Sequence, residues 1–215
     1  MNLEVITLTY NPFQENTYLV FDEQKNAVVI DPGMYSSAEK NHFKETVNSL
    51  GLNIVALLNT HCHIDHVLGN AFIKREYRVD FYMHELDLPT LNSISNYAHV
   101  YGFEAYEQSP EPDFLLNDQQ EINFNGIHLK VIFGPGHAPG HVAFYNQKNN
   151  ILLGGDILFR GSFGRVDLPG GDMETLKKTI HERMFTLPEN TVVYPGHGPS
   201  TTIGEEKRTN YIWQF

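Results

Sequence analysis

Cysteine is nearly absent from the sequence: Cys62 is the single one among 215 residues. An internal disulfide is thereby excluded, and the chain needs no oxidising compartment. Basic residues are also scarce. Lysine and arginine total 15 against 26 aspartates and glutamates, a formal net charge of −11. A surface of that sign repels a phosphate backbone, so nucleic acid is not expected as the main partner. No apolar run approaches the roughly 20 residues of a membrane-crossing helix. The opening MNLEVITLTYNPFQEN shows no basic stretch followed by a long apolar one, so no signal peptide is expected and a cytoplasmic location is the default. Low-complexity tracts and residue-level repeats are missing as well. What remains is an ordinary globular composition, 41% hydrophobic and 12% aromatic. The length fits one compact domain spanning 1–215.

Local pattern gives a β-rich order interrupted by helices. Leu3 to Tyr10 alternates apolar and polar residues, and Tyr18 to Phe21 and Ala27 to Ile30 read as two further strands around a charged turn. Ser37 to Leu50 reads as a helix, with serine at its start and Gly51 after its end. Ile54 to Leu58 is a short apolar run that fits a buried strand, followed by a helix over Val67 to Glu76 and a strand over Val79 to Met83. Glu85 to Tyr106 reads as a helical covering segment, and Gln108 to Asp118 as a loop. Glu121 to Phe124 and His128 to Phe133 form a hairpin around Asn125-Gly126. Strands over His141 to Tyr145 and Ile151 to Leu153 precede a glycine-rich loop, Ile157 to Gly171. A helix over Asp172 to Phe185, a strand over Thr191 to Tyr194 and a last helix over Ile203 to Trp213 complete the chain. Strands then helix, twice over, fit two packed sheets with helices on their outer faces, an α/β architecture.

The chemistry is concentrated where strands end. His61, His63, Asp65 and His66 lie within six consecutive residues, directly after an apolar strand. On extended backbone, side chains two apart point the same way, so His61 and His63 can face one cation while Cys62 points elsewhere. If the chain turns helical after Ile64, Asp65 and His66 swing toward a second cation. Imidazole and carboxylate suit zinc, manganese or iron. Three more glycine-flanked turns follow strands: Gly136-His137, Gly155-Asp156 and Gly196-His197-Gly198. Each alone reads as well as a capped turn. Together with the first cluster they read as a metal centre.

THCHIDH, GPGHAPGH, GGDILF and YPGHG, in this order, resemble the metallo-β-lactamase superfamily. NTYLV and VVIDPG extend the resemblance over nearly the whole chain, and GSFGRVDLPGGD is similar to a loop of short-chain relatives of the glyoxalase II (hydroxyacylglutathione hydrolase) group. The resemblance implies a four-layer αββα sandwich and a binuclear metallohydrolase. It implies that His61, His63 and His137 hold one divalent cation, that Asp65, His66 and His197 hold the other, and that Asp156 bridges them. Two zinc ions are expected, with iron or manganese as alternatives. His141 is expected to be a neighbour and not a ligand, and Asp31 to orient a ligating imidazole from behind. Cys62 is read as a buried, inert thiol.

A hydroxide bridging such cations would attack a carbonyl, with Asp65 orienting it or carrying a proton afterwards. The resemblance to the glyoxalase II group implies a small-molecule thioester as the substrate, whose thiolate would leave without a proton donor. The chain ends soon after His197, without the helical extension that helps bind glutathione in full-length glyoxalase II enzymes. Arg160, Arg165, Lys207 and Arg208 could meet a substrate carboxylate, with Arg165 the first choice and a loop-pinning salt bridge its alternative role. Phe163 and Tyr101 are candidate pocket walls that core packing would explain as well. Of the other histidines, His84 and His99 could line a pocket, while His42, His128 and His181 read as surface residues. The rival reading is a persulfide dioxygenase, which resembles the chain in a similar G-R-x-D segment and in FTLP (Phe185 to Pro188) and uses one iron at the equivalents of His61, His137 and Asp156. A lactonase or another ester or amide hydrolase of the same fold would need only a different pocket.

Overall fold

The computed structural model describes residues 2–215. The first half builds β1 (Leu3–Tyr10), β2 (Glu15–Asp22), β3 (Asn26–Ile30), α1 (Ser37–Leu50), β4 (Asn53–Leu58), α2 (Ile64–Val67), α3 (Asn70–Tyr77), β5 (Phe81–His84), α4 (Leu88–Ser93) and β6 (Phe114–Leu116). The second half builds β7 (Glu121–Phe124), β8 (Ile127–Phe133), β9 (Val142–Asn146), β10 (Ile151–Gly155), β11 (Leu158–Phe159), β12 (Ser162–Phe163), α5 (Met173–Thr179), β13 (Val192–Pro195), β14 (Thr201–Thr202) and α6 (Ile203–Thr209). One six-stranded sheet has the order β1-β2-β3-β4-β5-β6 and the other β14-β13-β10-β9-β8-β7. Both are mixed: β3 to β6 run parallel in the first, and β10 pairs parallel with β13 in the second.

Side-chain parity explains why the sheets stack. Along β2, Tyr18 and Val20 enter the cluster between the sheets, whereas Leu19 and Phe21 enter the cluster on the opposite face. The central cluster joins Val28, Ile30 and Leu58 of the first sheet to Leu129, Val131, Phe144 and Leu153 of the second. Outside the first sheet, Phe43 and Val47 of α1 and Phe72 and Ile73 of α3 cover Leu19, Val29 and Leu57. Outside the second, Leu176 of α5 and Ile180 and Met184 beyond it cover Ile132 and Leu152. Strands buried on both faces lose the clean alternation of half-exposed strands. The result is a four-layer αββα sandwich.

Helix ends follow local chemistry. Ser36 caps α1 in a reciprocal capping box with Glu39, and Gly51 closes it at φ 63°. Asp172 caps α5 by accepting from the Thr175 N–H. The β7–β8 turn has Asn125 and Gly126 both at positive φ, as a two-residue hairpin requires.

Several elements differ from the local reading. Glu85 to Tyr106 holds only the six-residue α4, flanked by 3-10 turns at Glu85–Asp87, Ile94–Asn96 and Ala98–Tyr101. Pro89, Thr90, Asn92, Ser93, Ser95 and Asn96 are poor formers of helix interior, so tertiary cover decides the shape. Leu91, Ile94 and Ala98 are buried in that cover. The expected loop at Gln108 to Asp118 contains the short edge strand β6, and the glycine-rich loop contains the β11–β12 hairpin. Val67 to Glu76 splits into α2 and α3 at Gly69, whose N–H is taken by the Pro32 carbonyl at 2.7 Å. The last helix stops at Thr209, where Asn210 turns to φ −63°, ψ 140° and caps a 3-10 turn, Tyr211–Gln214. Among the described residues no helix is long and apolar enough to cross a membrane.

Candidate metal centre

Four strand ends converge on one point. The loop after β4 carries His61, His63, Asp65 and His66. The turns after β8, β10 and β13 carry His137, Asp156 and His197. The coordinating atoms of His61, His63 and His137 lie within 4.8 Å of one another, and so do those of Asp65, His66 and His197. Asp156 spans the two trios. Its Oδ2 lies 3.5 Å from His137 Nε2 and 3.6 Å from His197 Nε2, and its Oδ1 lies 3.5 Å from His66 Nε2. All seven predicted residues therefore meet in one site. Asp31, His61 and His66 also form a close trio. The Asp31 oxygens are already taken there by Thr60 and His66 Nδ1, so Asp31 is a support and not a third pole.

Proton placement decides whether the site suits cations. The Thr60 hydroxyl donates to Asp31 Oδ2 at 2.6 Å, so its oxygen can only accept from His61 Nδ1 at 3.1 Å. His66 Nδ1 faces Asp31 Oδ2 at 3.2 Å, His137 Nδ1 faces the Arg165 carbonyl at 2.6 Å, and His197 Nδ1 faces the Phe13 carbonyl at 3.1 Å. Each acceptor holds the proton on Nδ1 and leaves the Nε2 lone pair bare. Those lone pairs point at one another: His137 Nε2 is 3.3 Å from His61 Nε2 and 2.8 Å from His63 Nδ1. His66 Nε2 and Asp156 Oδ1 are buried with no hydrogen-bond partner. Converging lone pairs and carboxylates repel unless positive charge sits among them. The donor set therefore fits two divalent cations of the zinc, iron or manganese kind.

Ionisation agrees. Burial, reinforced by His66 and His141, holds His61 well below the usual histidine range, and burial with His137 nearby takes His63 down to about 3. These rings are neutral at physiological pH, the form in which an imidazole can hold a cation. Burial pushes Asp65 and Asp156 upward, but the His66 charge outweighs it and both stay anionic. Burial would neutralise His66, yet Asp65 and Asp156 raise it well above the usual range.

The remaining predicted residues fall into place unevenly. His141 accepts the Asp156 N–H at Nε2, 2.9 Å, and stacks on His61 with ring centroids 4.6 Å apart, so it supports the site from beneath. Cys62 is buried beside Met83, its thiol pushed well up by burial. His84 caps a turn and stacks on Phe133, and neither His84 nor His99 lines the cavity over the site. His42 and His128 are exposed, while His181 is half-buried between Phe185 and Trp213. Phe163, Tyr101 and Arg165 all line that cavity. Arg165 is held by Asp167 through Nε at 2.6 Å and Nη2 at 2.7 Å, the loop-pinning pair.

Three supports escaped sequence reading. Asp87, fully buried, accepts the Cys62 N–H at 2.8 Å and the Gly140 N–H at 2.6 Å, tying the first ligand loop to the loop that carries His137. Glu15, also fully buried, presents a partnerless Oε1 4.0 Å from His66 Nδ1. Thr60 fixes the tautomer of His61. Thr60 was visible as the residue before the histidine cluster. Glu15 and Asp87 carried no local signal.

Comparison with known proteins agrees with this geometry. The family model for the metallo-beta-lactamase superfamily matches residues 10–197. The chain belongs to that superfamily, whose fold binds divalent metals, and it is a metal-dependent hydrolase of that kind. It is 36% identical over 212 residues to the hydroxyacylglutathione hydrolase GloC of Haemophilus influenzae, covering 98% of this chain and 97% of that one. It is 33% identical to the mitochondrial persulfide dioxygenase ETHE1 of Bos taurus, covering 90% of this chain and 68% of that one. Among solved structures, TTHA1623 in a di-iron-bound form is similar at TM-score 0.85 with 40% identity, covering 96% of this chain and 99% of that one.

Proposed function

We propose that this protein is a binuclear metal-dependent thioesterase of the hydroxyacylglutathione hydrolase type. The observation that carries the reading is the second trio, Asp65, His66 and His197, assembled beside the first and joined to it by Asp156. A single-cation enzyme has no need of that trio. Two divalent cations, when bound, supply a water ionised near neutral pH and positive charge for a developing oxyanion. The chain's own groups do the rest. Asp31, Thr60 and the Arg165 and Phe13 carbonyls lock the tautomers of His66, His61, His137 and His197, so their Nε2 lone pairs are directed inward before substrate arrives. Asp65 Oδ2, anionic and 3.1 Å from His197 Nε2, lines the cavity and can receive the proton released at the site. The departing thiolate needs no donor, and no lysine or tyrosine acid stands among the seven residues. Zinc is the expected metal, with iron a second choice in view of the di-iron relative.

The likeness to persulfide dioxygenase ETHE1 supports a second reading, one iron at the first trio and Asp156. Hydrolysis of S-lactoylglutathione and simpler thioesters, with metals counted on the same sample, separates the two. Two metals per chain with thioester cleavage supports the hydrolase. One iron per chain with oxygen uptake and no thioester cleavage overturns it.

A further inference from the structure

The cavity above the metal centre holds about 900 Å³. Its larger apolar side chains come from three separate segments, with Thr90, Ser93 and Ser162 among them. Leu86, Tyr97 and Tyr101 descend from the segment around α4, Phe13 from the β1–β2 turn, and Phe163 and Leu168 from the glycine-rich loop. Leu86 is 49% exposed, Tyr101 47% and Phe13 41%. Phe13 and Tyr101 pack edge to face at 5.8 Å, as do Tyr97 and Tyr101 at 5.9 Å, so the rim is a connected aromatic surface. Apolar groups of this size, held open beside a reactive centre, gain from a substrate that covers them.

Charge points the same way. Arg165 is the lone lysine or arginine in the lining, and the Nε–Nη2 edge of its guanidinium is taken by Asp167. Arg208 pairs with Glu205 and Lys207 with Glu189, and these two residues and Arg160 lie outside the cavity lining. A glutathione arm brings two carboxylates, and the lining offers them a single cationic group, the remaining Nη1–Nη2 edge of Arg165.

We infer that the cavity selects thioesters with an uncharged, apolar arm, aliphatic or aromatic, on at least one side of the scissile carbonyl. The inference rests on the thioesterase reading and narrows its substrate class. The metal-loaded full chain should be assayed with S-acyl-N-acetylcysteamine thioesters from acetyl to octanoyl, with acetyl thioesters of alkyl thiols of rising length, and with S-lactoylglutathione. In at least one series kcat/KM should rise roughly two- to fourfold per added methylene, the range set by the transfer of a methylene out of water. S-lactoylglutathione should fall below the longest member of that series. Leu86→Ala and Tyr101→Ala should each lower the long-to-short kcat/KM ratio at least fivefold. Independently of turnover, chelator-treated protein should bind a non-hydrolysable octyl thioether of N-acetylcysteamine, with a negative heat-capacity change that Tyr101→Ala diminishes. Flat slopes in both series, a preference for S-lactoylglutathione over every uncharged thioester, or thioether binding indifferent to Tyr101 would each overturn the inference. Failure to cleave any thioester while the thioether still binds through Tyr101 would instead sink the thioesterase reading and leave the apolar wall standing.

Discussion

Replacing Asp31 with asparagine changes one atom and tests the tautomer argument directly. Asp31 Oδ1 accepts from the Thr60 N–H at 2.7 Å, and Oδ2 accepts from the Thr60 hydroxyl at 2.6 Å and from His66 Nδ1 at 3.2 Å. A carboxamide has only one acceptor end. If its oxygen faces the Thr60 N–H, its amide hydrogens meet the His66 Nδ1 proton. If it flips, they meet the Thr60 N–H instead. The first arrangement relaxes when His66 moves its proton to Nε2, the atom that must stay bare toward the metal centre. Loss of one charge-assisted bond with a mispaired group left behind costs about 3 kcal/mol. For a chain of this size that corresponds to a fall in Tm of about 6–12 °C. Affinity for one of two cations should fall about 10- to 100-fold, as for other residues that orient a ligating imidazole. Competition with a chromophoric chelator measures the affinity, and thermal unfolding of the stripped protein measures the stability. An Asp31→Asn protein that keeps two cations at unchanged affinity would refute the reasoning.

Three further outcomes are expected. Asp87→Ala leaves the buried N–H groups of Cys62 and Gly140 unpaired, costing about 2–4 kcal/mol, and thermal melting should drop while metal affinity weakens because the two ligand loops are no longer tied. Gly196→Ala places a Cβ 2.1 Å from Asp156 Oδ1 and 2.6 Å from His66 Cε1, so metal content should collapse with little change in far-UV circular dichroism; full metal content would contradict the geometry. Partial burial pushes the Glu39 carboxyl up, but hydrogen bonds from the Ser36, Asn11 and Tyr35 N–H groups outweigh it and hold its pKa below the usual range. A folded pKa below the unfolded one gives stability that is present above the ordinary glutamate range and lost as pH falls through the folded value. Denaturant unfolding across that acid range should show this slope in the wild type and a shallower one in Glu39→Gln.

The seven residues that converge in the candidate metal centre were legible because their signal is local. Four sit in one short run after an apolar strand, and the other three follow strands beside glycines. Gly196 shows why the glycine is needed, since any side chain there would enter the site. The sandwich was legible from the order of elements and from the two-sided burial of short strands. The failures share one physical cause, structure decided by distant contacts. The segment from Glu85 to Tyr106 has weak propensities of its own and takes its 3-10 turns from the surface it covers. The polar opening of β2, Glu15-Asn16-Thr17, belongs to a strand because it faces the metal centre and the β13 turn, where Asn16 binds the Pro195 and Gly198 carbonyls. Asp87 acts on two backbone groups 25 and 53 residues away, a pairing that no window along the chain contains.

The account stands on one pocket holding two cations through a shared carboxylate. Calorimetric titration of zinc into chelator-stripped protein measures that directly. Two equivalents are expected for the wild type, one for His197→Ala, and loss of tight binding at both positions for Asp156→Ala. Saturation of the wild type at a single equivalent, or two undiminished equivalents in Asp156→Ala, would contradict it.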